Sequence, residues 1–75
     1  VIVVDPPRSG LSSAVRAFLK KLGSPLILYV SCDAGSLARD SAFLLESGYS
    51  LTEYRLFDFY PQTAHVESLC CFTRN

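Results

Sequence analysis

The 75-residue chain lacks an excess of charge of either sign: seven lysines and arginines are offset by seven acidic residues. Arg8, Arg16, Lys20, Lys21, Arg39, Arg55 and Arg74 are scattered along it, which argues against a basic patch with nonspecific affinity for nucleic acid. Cysteine is scarce, and Cys32, Cys70 and Cys71 form an odd set of three with no C-x-x-C spacing. That excludes a disulfide framework, and also a zinc site, because His65 and these thiols do not supply four ligands at ligand-like spacing. No apolar run approaches the roughly 18 residues of a membrane span, and no charged-then-apolar leader opens the chain. The sequence therefore predicts no membrane partner, no metal and a reducing, cytoplasmic location. Also missing are internal repeats, low-complexity segments and the glycine-rich strand-to-helix turn that cradles a nucleotide-type cofactor.

What the chain has is the composition of a folded domain, 49% hydrophobic and 19% charged. A domain this short buries only about 60 to 65% of its unfolded surface, so the core is thin. "VIVVD" at 1–5 is a continuous β-branched run, expected as a strand covered on both faces of a parallel sheet. Leu11, Val15, Phe18, Leu19 and Leu22 follow at helical spacing, with Ser12 or Ser13 as N-cap and Gly23 and Pro25 as the stop. "LILYV" at 26–30 repeats the buried-strand pattern. Leu37, Ser41, Leu44, Leu45 and Gly48 then line a second helix ending at Gly48. A strand over 51–60, a connection "PQTAH" at 61–65 and a strand "VESLCCFTR" at 66–74 complete an antiparallel pair. The predicted fold is α/β, two βα units followed by that pair, with right-handed crossovers. An abrupt opening strand without blunting charge or proline marks an exposed edge, neighbours to cover both faces of the sheet are lacking, and the chain is expected to be the C-terminal part of a larger domain.

Topology points to a site. Ligands of open α/β sheets sit at the carboxyl ends of the parallel strands, where Asp5 and Cys32 fall. If the strand at 51–60 is parallel to the first two, "PQTAH" and Glu67 lie at the same edge, and Tyr60 is the aromatic nearest to it. Each residue also has a plain reading. Cysteine is most often a small buried hydrophobe, the reading given to Cys70 and Cys71. Asp5 can end a strand, Asp33 or Ser36 can cap the second helix, His65 can be a surface turn residue and Glu67 a solvated strand residue. Cys32 stands apart by preceding a helix N-terminus, a position that suits an anionic nucleophile.

Three segments carry a resemblance: "DPPRSGL" at 5–11, "YVSCDAGSLARD" at 29–40 and "DFYPQTAHVE" at 58–67. In order and spacing they resemble the C-terminal motifs of the RNA uridine-C5 methyltransferases, S-adenosyl-L-methionine-dependent enzymes that make 5-methyluridine in tRNA and 23S rRNA. The resemblance implies that residues 1–75 are the C-terminal half of a Rossmann-like class I methyltransferase domain. It further implies Cys32 as the nucleophile, Glu67 as the general base, and Asp5, Pro6 and Pro7 as part of the substrate and cofactor pocket, most of which lies outside this chain. The implied partner is structured RNA, with the target base flipped out to reach the thiol. The isolated chain is expected to be inactive and to self-associate through its open sheet edge. One departure bears on activity: the family reads S-C-N-P-x-T-L-A-R-D, and Asp33, Ala34 and Ser36 stand here for Asn, Pro and Thr. Two other readings stay open, a noncatalytic RNA-binding or scaffold domain and an amino-methyltransferase of the D/N-P-P type. The latter places an aromatic where this chain has Arg8 and needs no thiol.

Overall fold

The computed structural model describes residues 1–57 and 67–75. Its elements run β1 (Ile2–Val4), α1 (Ser13–Leu22), β2 (Leu26–Ser31), α2 (Ala34–Glu46), β3 (Tyr49–Phe57) and β4 (Glu67–Arg74). The described strands form one mixed sheet in the order β1-β2-β4-β3. β1 pairs parallel with β2, with Val4 opposite Tyr29. β4 is antiparallel to both β2 and β3, so β1, β2 and β3 point the same way and the returning β4 is threaded between the last two. The expected strand-helix order, with an antiparallel β3–β4 pair, is what the molecule adopts. Residues 58–60 of the expected third strand, the 61–65 connection and Val66 lie outside the described residues.

Local chemistry explains the boundaries. Ser12 is the N-cap of α1 and its hydroxyl accepts the Val15 N–H, leaving Ser13 as the first helical residue. Gly23 closes α1 in the left-handed region at φ 62°, where a side chain would strain the backbone. α2 stops two residues before the expected Gly48, capped by Ser47. β3 begins at Tyr49, ahead of the expected Leu51, and a bulge between Leu51 and Glu53 shifts its register.

Among the described residues the sheet is covered on one face, in keeping with a chain that lacks the neighbours to cover both. Both crossovers step across the sheet in the same direction, and right-handed connections then place both helices on one face. Burial alternates accordingly: Ile27, Tyr29 and Ser31 of β2 are buried, whereas Leu26, Leu28 and Val30 are half-buried. On β1, Val3 is 63% exposed. The core lies on the helical face, where Leu19, Leu37 and Leu44 meet Ile27, Tyr29, Cys70 and Phe72. The predicted α1 stripe is only partly used, because Val15, Phe18 and Leu22 are exposed and only Leu19 of the helix is buried. Leu45 of the predicted α2 stripe is exposed too, while Asp40, which the hydrophobic pattern passed over, is fully buried.

Candidate active site

Register places the sequence-predicted site residues at one edge. Asp5 follows Val4, the end of β1; Cys32 follows Ser31, the end of β2; and Glu67 opens β4 opposite Phe57, the last described residue of β3. Ser31 faces Ser68 across the β2–β4 ladder, so Cys32 and Glu67 are neighbours just beyond the last pair. With strands about 4.8 Å apart, Asp5 and Glu67 lie on strands roughly 10 Å apart and Cys32 sits on the strand between them. His65, Tyr60 and the rest of the third motif before Glu67 lie outside the described residues.

Burial separates the three thiols. Cys32 is exposed, Cys71 half-buried and Cys70 buried, and burial pushes the Cys70 thiol above its ordinary range. Cys70 and Cys71 therefore behave as sheet residues. Cys32 is held at the strand-helix joint by its neighbours. The Ser31 hydroxyl accepts the Asp33 N–H at 3.1 Å and donates to the Asp33 carbonyl at 2.9 Å, closing a tight loop around Cys32. The Asp33 carboxylate turns onto α2 and accepts the Ser36 N–H at 2.9 Å. That N–H, and then the Ser36 hydroxyl, hold the Asp33 carboxyl below its ordinary value. Aspartate thus fills a capping position for which asparagine is also a favoured residue.

The three candidate groups share an edge, and two cavities among the described residues are lined by different ones. Asp5, Pro6 and Pro7 line a cavity of about 620 Å³ on the helical side, together with Ser12, Arg16 and Arg39. Glu67 lines a slot of about 310 Å³ with Val30, Phe57, Ser68 and Leu69. Cys32 lines neither. The loop after β1 is drawn tightly against α2: the Gly10 N–H donates to the Pro7 carbonyl at 2.8 Å, and Gly10 has φ +81°. A Cβ at Gly10 would lie 2.7 Å from Asp40 Oδ2 and 2.9 Å from Ser36 Cβ, so both the turn and the close approach require glycine.

Asp40 is the residue that sequence reasoning missed. Its side chain is fully buried, and Oδ2 accepts the Leu11 N–H at 2.8 Å and the Tyr29 hydroxyl at 2.6 Å. Burial first, then this bond, push the Tyr29 hydroxyl far above the ordinary tyrosine range, so it stays a donor. Oδ1 faces Arg16 and Arg39, each at 3.5 Å. In the sequence Asp40 stands between Arg39 and Ser41, beside the predicted stripe of α2, and nothing there separates it from a solvated residue. Among the described residues, no three metal-ligating side chains gather, and no helix is long and apolar enough to cross a membrane.

Comparison with known proteins gives a consistent picture. The family model for tRNA (Uracil-5-)-methyltransferase matches residues 1–75. An RNA methyltransferase of Treponema denticola, named as uncharacterized, is 49% identical over 74 residues, 99% of this chain and 18% of that protein. The 23S rRNA (uracil(1939)-C(5))-methyltransferase RlmD of Colwellia psychrerythraea is 46% identical over 72 residues, 96% of this chain and 15% of that protein. The crystal structure of Pyrococcus abyssi tRNA (uracil-54, C5)-methyltransferase in complex with S-adenosyl-L-homocysteine superposes with a TM-score of 0.84 at 35% identity. That match covers 95% of this chain and 17% of the other. The chain thus spans less than a fifth of the length of these relatives, 15 to 18%.

Proposed function

Because the chain belongs to the tRNA (uracil-5-)-methyltransferase family, we propose that the protein carrying it is an S-adenosyl-L-methionine-dependent RNA methyltransferase that forms 5-methyluridine in tRNA or 23S rRNA. In this reading residues 1–75 are the C-terminal part of its class I catalytic domain. The observation that carries it is an exposed Cys32 between the end of β1 and the start of β4, flanked by Asp5 and Glu67, in a chain the family matches throughout.

The chemistry asks for these groups. Carbon 5 of uracil is a poor nucleophile; addition of the Cys32 thiolate to carbon 6 gives an enolate whose carbon 5 can take a methyl group. When bound, S-adenosyl-L-methionine supplies that methyl as an electrophile on a sulfonium. The adduct still carries hydrogen at carbon 5. The Glu67 carboxylate takes this proton, the carbon 5 to carbon 6 double bond re-forms, and the thiolate leaves. The residues present fit the donor and target base in part: Asp5, Pro6 and Pro7 line the larger cavity beside the sheet edge. The prolines fix φ and stiffen this wall, and Asp5 offers a carboxylate to the flipped base.

The test uses the full-length protein and RNA carrying 5-fluorouridine, whose carbon 5 has no hydrogen to surrender. We expect a denaturation-stable protein–RNA adduct that Cys32→Ala abolishes. An adduct that persists in Cys32→Ala rejects the assignment.

A further inference from the structure

We propose that Asp40 is a positioning residue, one that holds the loop bearing Asp5 against α2 and so fixes where Asp5 stands relative to Cys32. The proposal rests on the reading of Cys32 as the nucleophile, and it adds a residue that touches neither substrate nor donor.

One buried carboxylate ties together the three elements that place the site. Asp40 belongs to α2, the helix that begins just after Cys32. Its Oδ2 takes the Leu11 N–H at the end of the 5–11 loop and the Tyr29 hydroxyl of β2, the strand that delivers Cys32. Its Oδ1 is ion-paired with Arg16 and Arg39. Arg39 in turn donates to the Ser9 carbonyl, and Arg16 to the Leu11 carbonyl at 2.9 Å. Every described hydrogen bond that anchors residues 9–11 to another element therefore goes to Asp40 or to an arginine paired with it. The local turn from Gly10 to Pro7 shapes the loop but does not fasten it.

A well-packed apolar side chain in place of a buried charge is often no less stable. The carboxylate does something an apolar residue cannot: it accepts a loop N–H while orienting two guanidinium groups onto loop carbonyls. Gly10 matches this arrangement, since only glycine lets the loop come within 2.7 Å of Asp40 Oδ2 at its Cβ position. The tail of the segment at 29–40 thereby clamps the segment at 5–11, so the two motifs act as one assembly.

The experiment compares Asp40→Ala and Asp40→Asn in the full-length protein, at saturating S-adenosyl-L-methionine and 5-fluorouridine RNA. For Asp40→Ala we expect the rate constant of adduct formation to fall about tenfold to a hundredfold, the cost of a misplaced reacting group. The amplitude, which counts folded enzyme, should stay near that of the unsubstituted protein. Amide exchange of residues 5–11 should rise in the same variant. Asp40→Asn keeps an oxygen acceptor for Leu11 and should recover most of the rate and the protection. An unaltered rate in Asp40→Ala, or unaltered loop exchange, overturns the proposal. So does a loss confined to amplitude that Asp40→Asn fails to rescue, because that is simple unfolding. If the unsubstituted protein forms no adduct, the Cys32 reading fails and the positioning role with it; if Cys32 reacts and Asp40→Ala matches it, only the positioning role fails.

Discussion

Glu67 and Cys32 sit one step beyond the same ladder pair, Ser31 with Ser68, and the proposed mechanism gives them successive steps on one uracil ring. Loss of the base leaves addition and methyl transfer intact but blocks the last proton removal. Glu67→Gln in the full-length protein should therefore accumulate a methylated, covalent complex with ordinary uridine RNA. A positioned general base contributes about a hundredfold or more, so release should slow by that order. The measurement is the denaturation-stable complex formed with unmodified RNA; release at the unsubstituted rate would reject the role. At this scale Asp5 and Cys32 were legible in the sequence, because β-branched runs that stop at proline or at a helix cap mark strand ends. Asp40 was not. Its partner Leu11 lies 29 positions away in the chain, and a single acid between Arg39 and Ser41 reads as solvated until the fold buries it.

Among the elements, the joint from β2 to α2 was the most readable and α1 the least. Asp33 and Ser36 were both candidate caps, and the geometry gives the role to Asp33. For α1, the helical spacing was right but spacing does not say how much of a stripe is covered; with both helices on one face, Phe18 and Leu22 find no described cover. The capping assignment makes a pH-dependent prediction. The Asp33 carboxyl is held below its ordinary value in the fold, so its stabilising share is present above the unfolded aspartate value of about 3.9 and is lost as pH falls through the lower folded value. Asp33→Asn retains a capping oxygen without the charge. In denaturant titrations of the chain, the variant should be slightly less stable near neutrality, with the gap starting to close below about pH 4 and vanishing once pH falls past the lower folded value. A gap that stays constant or widens in acid would contradict the cap.

For the whole molecule, the sequence made the α/β order and the common edge of Asp5, Cys32 and Glu67 readable, because strand and helix periods differ and parallel strands share their carboxyl ends. It did not make readable which face stays open, since a β-branched run looks the same from either side. The sheet has β1 at one edge, with Val1 77% and Val3 63% exposed, and β1 carries neither charge nor proline within Ile2–Val4. Such an edge presents unpaired N–H and C=O groups beside apolar side chains, the arrangement that templates strand pairing between molecules. At the opposite edge, β3 is blunted by the ion pair between Arg55 and Glu53 at 2.6 Å and by the bulge after Leu51. Association of the isolated 75-residue chain should therefore run through β1. Sedimentation should show a weight-average mass that rises with concentration, and Val3→Lys, a charge on that edge, should return the chain to monomer. A chain that is monomeric at all concentrations, or one whose association survives Val3→Lys, would place the contact elsewhere or remove it.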